Sequence, residues 1–136
     1  MMKLDTIKKS ALVSIAAIFI LTIALGSTLA DGVKQKIRFA KGSSTATVSG
    51  TVIRGDRDRY YVGARKGQTM AVKISSDESN AVFQVYRPGE EDALPGAGDG
   101  DDATDWSGEL PADGEYVIVV GGTRGNATYK LKVSIE

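Results

Sequence analysis

From residue 33 onward, hydrophobic and polar positions alternate along most of the chain. Tyr129, Leu131, Val133 and Ile135 alternate with Lys130, Lys132 and Ser134. Met70, Val72 and Ile74 alternate with Ala71 and Lys73, and Ile37 and Phe39 with Lys36 and Arg38. A period of two sends one set of side chains into a core and the other into water, so each run predicts a half-buried strand. The same reading predicts strands at Ala46–Ile53, Asp58–Ala64, Ala81–Arg87, Thr104–Leu110 and Glu115–Val120. Tyr116–Val120 is apolar on both faces, which predicts a central strand. Turn chemistry separates the runs, at Lys41-Gly42, Arg54-Gly55-Asp56, Lys66-Gly67, Pro88-Gly89, Asp113-Gly114 and Arg124-Gly125-Asn126. About eight short strands spaced roughly 8–12 residues apart predict an all-β, eight-stranded antiparallel β-sandwich, jelly-roll-like, as one domain over residues 33–136.

Residues 1–30 follow a different pattern. Lys3, Lys8 and Lys9 precede an apolar run from Ala11 to Leu25, and Gly26-Ser27-Thr28-Leu29-Ala30 ends it in small residues. This reads as a signal-peptide helix cleaved after Ala30, or as a retained N-terminal anchor, the only route to a membrane. The run is short against the roughly 20 residues of a spanning helix. The mature domain is therefore expected in the periplasm or outside the cell.

Composition narrows the function classes. The 136 residues include no His and no Cys. The usual general base, the His-activated nucleophiles and thiolate metal sites are therefore absent, and the expectation is a protein that is not an enzyme. An exported domain without disulfides suits a bacterial envelope. Charge is segregated, with 10 basic and 2 acidic residues in 33–74 but 1 basic and 12 acidic in 75–115. After removal of residues 1–30 the balance is slightly acidic, and the basic positions spread over several strands, so nucleic acid is not an expected partner. Nothing in the pattern specifies an oligomer.

Asp58-Arg59-Tyr60-Tyr61-Val62-Gly63-Ala64-Arg65-Lys66-Gly67-Gln68 resembles the D-x-Y-x-x-x-A-x-x-G-Q signature of bacterial pre-peptidase C-terminal domains. Ala81–Gly89, Asp113–Val120 and Ala127–Val133 resemble the same domains. Ile37-Arg38-Phe39-Ala40-Lys41-Gly42 and Ser49-Gly50 look most like the periplasmic inhibitors of goose-type (g-type) lysozyme within that superfamily. The resemblance implies a β-sandwich and a protein partner, with g-type lysozyme the expected one, engaged by loop insertion into the enzyme cleft. The alternative is an envelope module that binds carbohydrate or Ca²⁺. In the signature itself, Tyr60 is expected in the core with its hydroxyl near the surface, and Asp58 as a turn or strand-end partner.

Candidate binding residues sit in two loops. Gly121-Gly122-Thr123-Arg124-Gly125-Asn126 carries one charge, Arg124, between glycines. A cationic finger there would pair with a carboxylate in a cleft, with Thr123 and Asn126 beside it; a solvated hairpin is the plain alternative. Arg54-Gly55-Asp56-Arg57-Asp58-Arg59 is either a self-neutralising ladder or the source of Arg54 and Arg57 as further contacts. The inhibitors carry tyrosines in this stretch where this chain has Gly55 and Arg57. In the long connection from Pro88 to Ala103 and just beyond it, Asp99, Asp101, Asp102 and Asp105 supply oxygen ligands that would suit Ca²⁺, although the spacing is not that of a calcium loop. Otherwise the loop is solvated, where its charge would steer a basic partner. Trp106, the single tryptophan, alternates with Gly108 and Leu110 and is expected on the core face rather than stacked on a sugar.

Overall fold

The computed structural model describes residues 32–89 and 92–136; the expected signal helix lies outside them. Eight strands follow in chain order: β1 (Lys34–Lys36), β2 (Thr45–Val52), β3 (Asp58–Ala64), β4 (Thr69–Ser76), β5 (Ala81–Tyr86), β6 (Asp105–Glu109), β7 (Gly114–Gly122) and β8 (Ala127–Ile135). They form two four-stranded sheets, ordered β1-β3-β7-β5 and β2-β8-β4-β6. Pairing is antiparallel except that β1 runs parallel to β3. Among the described residues there is no helix.

Alternation builds the core directly. In β8, Ala127, Tyr129, Leu131, Val133 and Ile135 are buried, while Thr128, Lys130 and Lys132 are exposed. Val62, Val72, Phe83, Val85, Leu110 and Ile118 complete the space between the sheets. Ile37 is buried as the alternation requires, but β1 has already ended. The backbone there leaves the ladder after Ile37 N–H donates to the Tyr61 carbonyl (2.8 Å).

The long connection between β5 and β6 has a structural role. It runs along the free edge of β5, where Phe83 N–H donates to Ala103, Val85 N–H to Ala97, and Leu94 N–H back to Val85. Ile74 N–H of β4 then donates to Thr104, so the segment passes from one sheet to the other. Leu94, Ala97 and Ala103 are buried and close that side of the core. Satisfying an edge strand in this way also blocks edge-to-edge pairing with another chain.

Candidate functional site

Three loops meet at one end of the sandwich. They join β2 to β3, β4 to β5, and β7 to β8. Arg54 N–H donates to Asn126 Oδ1 (2.8 Å), which ties the first loop to the third. Buried Asn80 lies beneath them; its Nδ2 donates to the Arg124 carbonyl (2.9 Å) and the Asn126 carbonyl (3.1 Å). Thr123 N–H donates to the Asn80 carbonyl, and the Arg124 guanidinium donates to the Glu78 carbonyl. Gly55 and Gly125 adopt positive φ values of 86° and 58°, which an L side chain resists, so both loops turn tightly. Arg57 lies across the bare backbone of Gly121, where an added Cβ would come within 2.6 Å of its guanidinium. The structure thus gathers Arg54, Arg57, Thr123, Arg124 and Asn126 into one exposed cationic end. Of these side chains, Arg124 bonds the backbone of Glu78, Arg57 packs on Gly121, and none has a carboxylate within 4 Å among the described residues.

This end is anchored by a polar network inside the core. Tyr129 of β8 donates to Asp58 Oδ2 (2.7 Å), and Tyr60 of β3 lies 2.5 Å from the Tyr129 hydroxyl. Tyr129 has one proton and gives it to the carboxylate, so Tyr60 donates to Tyr129. Asp58 Oδ1 accepts from Val33 N–H (2.8 Å). The rings meet edge to face at 82°. Gly50 makes room for them, since a Cβ there would lie 2.9 Å from the Tyr129 oxygen. Burial pushes the Tyr129 hydroxyl well above its ordinary value near 10, and its bonds to Tyr60 and Asp58 push it the same way. Burial also raises Tyr60, against the bond it makes to Tyr129, and the Asp58 charge adds to the rise. The expected surface position of the Tyr60 hydroxyl is therefore corrected. The side chain is 1 % exposed, because the second sheet supplies a partner that a single strand pattern does not reveal.

The expected Ca²⁺ ligands do not converge. Asp101 Oδ2 accepts from Gly98 N–H (2.7 Å), Asp99 Oδ1 accepts from Gln84 (3.2 Å), and Asp105 opens β6 opposite Lys73. Among the described residues no three carboxylates are grouped to hold a metal. Asp101 braces the loop itself, and Asp99 ties it to Gln84 of β5. Trp106 packs against the core as expected. Its half-buried ring lies over Gly96 and Gly108, and Nε1–H donates to the Pro95 carbonyl.

With this geometry in place, comparison with known proteins decides the family. A crystal structure of an Aeromonas hydrophila periplasmic lysozyme inhibitor of g-type lysozyme is 37% identical, with a TM-score of 0.65, covering 79% of this chain and 100% of that one. The chain belongs to the family of periplasmic inhibitors of g-type lysozyme. An Escherichia coli member of the family, solved as a mutant, is 30% identical with a TM-score of 0.62, covering 77% of this chain and 99% of that one. The inhibitor of g-type lysozyme from Escherichia coli strain K12 is 28% identical over 147 residues, covering 99% of this chain and 98% of the relative. The family shares its fold with the pre-peptidase C-terminal domain of a Bacillus anthracis collagenase (16% identity, TM-score 0.54, 79% and 97% covered). No protein-family model matches the chain.

Sequence reasoning missed Asn80 and Glu78, which hold the Arg124 hairpin from a loop more than 40 residues away. An Asn at the start of an apolar strand is a weak signal, and only its burial to 2 % exposure reveals the role.

Proposed function

We propose that this chain is an exported inhibitor of g-type lysozyme that works without catalysis, by inserting its cationic loop end into the enzyme cleft. The match at 37% identity to an inhibitor, over 79% of this chain and all of that one, carries this reading, and the gathered Arg54, Arg57 and Arg124 supply its chemistry. A lysozyme cleft holds an acidic catalytic residue, and an arginine offered on a braced loop pairs with it in two parallel hydrogen bonds. Bracing matters because ordering a loop during binding costs affinity. Asn80 and the Glu78 carbonyl hold the hairpin in one shape beforehand. Residues 1–30 act as the export signal, and Asp31 is the expected first residue of the periplasmic protein.

The test is inhibition of a g-type lysozyme by the purified mature domain and its Arg124→Ala variant. Removing a charge that pairs with a buried carboxylate costs about 2–5 kcal/mol, or roughly thirtyfold to several thousandfold in affinity. Arg65→Ala, in the β3–β4 turn, is the control and should inhibit like the parent. Equal inhibition by Arg124→Ala would sink the insertion model at this hairpin and leave Arg54 and Arg57 as the contacts.

A further inference from the structure

We propose that the outer face of the β1-β3-β7-β5 sheet binds a carboxylated saccharide chain, at a site that adjoins the loop end at Arg57 and is centred on Arg59, Tyr61 and Tyr86. Register places three rows of side chains across this face. Arg57, Gly121 and Val82 lie nearest the loops; Arg59, Val119 and Gln84 form the next row; Tyr61, Val117 and Tyr86 form the third. Two open cavities of about 290 and 380 Å³ run over these rows and share Arg57. The face is therefore a continuous shallow trough, a shape suited to a chain ligand rather than to a small enclosed one.

The chemistry along the trough is that of sugar recognition. Tyr61 and Tyr86 stand on either side of Val117, two strand spacings or about 10 Å apart. Both are half-buried on a face with no covering layer among the described residues. Their apolar rings suit the C–H faces of pyranose rings, and each hydroxyl end stays polar. The Tyr86 hydroxyl donates to Gln84 Oε1 (2.6 Å), and Gln84 Nε2 donates to Asp99 Oδ1 (3.2 Å). That chain of bonds fixes the Tyr86 ring before any ligand arrives and presents amide and carboxylate groups to sugar hydroxyls. Arg57 and Arg59 line the larger cavity, and neither has a carboxylate within 4 Å among the described residues. Two free guanidinium groups beside two tyrosines call for an anionic ligand. Asp99 and Asp102 border only the smaller cavity nearer the loops, so the carboxylate seat is by Arg59. The occupant is thus a glycan whose sugars carry carboxylates, as peptide-free wall glycan does on its lactyl groups.

The experiment uses the mature protein with two probes, solubilised peptidoglycan glycan strands and neutral chito-oligosaccharide, followed by calorimetry and amide NMR. Wild type should bind the glycan strands, with shift changes at Arg59, Tyr61, Val117 and Tyr86, and with affinity that falls as salt rises. The neutral oligosaccharide should bind about tenfold more weakly, the loss of one charge-assisted pairing. Arg59→Gln should remove that preference for the charged probe. Tyr61→Ala with Tyr86→Ala should lower glycan binding at least about tenfold while lysozyme inhibition is unchanged. No binding of either probe by wild type, or shift changes confined to other residues, overturns the proposal whether or not the variants fold. Loss of lysozyme inhibition in the folded tyrosine variant overturns it in favour of an extended protein interface. Dissociation of a wild-type dimer by that variant overturns it in favour of a second copy.

Discussion

The two sheets cover one core but present opposite outer surfaces. On the β2-β8-β4-β6 sheet the outward rows are Thr47, Ser49 and Thr51, then Thr128, Lys130 and Lys132, then Lys73 and Ser75. On the other sheet the outward rows carry Tyr61, Val117, Val119 and Tyr86, with Arg57 and Arg59. Both β7 and β8 are interior strands of their sheets, so centrality alone does not call for an apolar outer face. β8 is central and alternates cleanly; β7 is central and does not. The difference teaches that a strand apolar on both faces reports something about its second face as well as its rank in the sheet. Here that second face is the floor of a trough.

Charging each face in turn tests the contrast most strongly. Val119 is 9 % exposed and lies opposite Arg59, so Val119→Lys puts a second, repelling positive charge on a nearly closed floor. It should cost about 3 kcal/mol, a fall in Tm of roughly 10–20 °C. Ser49→Asp, exposed and opposite Lys130, should stay within about 0.5 kcal/mol. Equal melting temperatures for the two variants would break the comparison. A smaller effect is expected where the sheets are joined. Asp58→Ala strands the Tyr129 hydroxyl and the Val33 N–H, and should cost about 2 kcal/mol in chemical denaturation. If the loss is as small as for Ser49→Asp, the network does not tie the sheets.

The smallest effect is on pH dependence. Tyr60 and Tyr129 have hydroxyls raised above the unfolded value near 10. The unfolded chain therefore loses those protons first, so their stabilisation is intact below pH 10 and declines as pH rises above it. The slope is at most about 1.4 kcal/mol per pH unit for each tyrosine. Tyr129→Phe should flatten the fall in stability between pH 10 and 11.5 relative to wild type. Parallel curves would place the alkaline loss in the exposed lysines instead.

Much of this molecule was legible in one dimension. The strand Asp58–Ala64 has the bounds that alternation predicts, and β2, β4, β5, β6, β7 and β8 shift by only one or two residues at an end. The first strand was misplaced, because Ile37 and Phe39 bury themselves after the ladder has ended. The two turns that carry Arg54 and Arg124 were also legible, since an arginine followed by glycine stands out from alternating strands; a binding role for them is the proposal made above. In the acidic loop, composition shows the carboxylates but not the groups that donate to them, Gly98 N–H to Asp101 and the Gln84 amide to Asp99.

The sequence by itself determined which residues form strands and which side of each strand meets the core. Alternation and turn chemistry are local, and they act within a few residues along the chain. Only the tertiary structure decided that Arg54, Asn80 and Arg124 share one end, that Tyr129 reaches Asp58, and that Tyr61 and Tyr86 flank Val117. Period two gives inside or outside but says nothing about which strand lies alongside. That choice is made by closing one core between two sheets and pairing buried polar groups across it, a constraint that links Tyr129 to Asp58, 71 positions away.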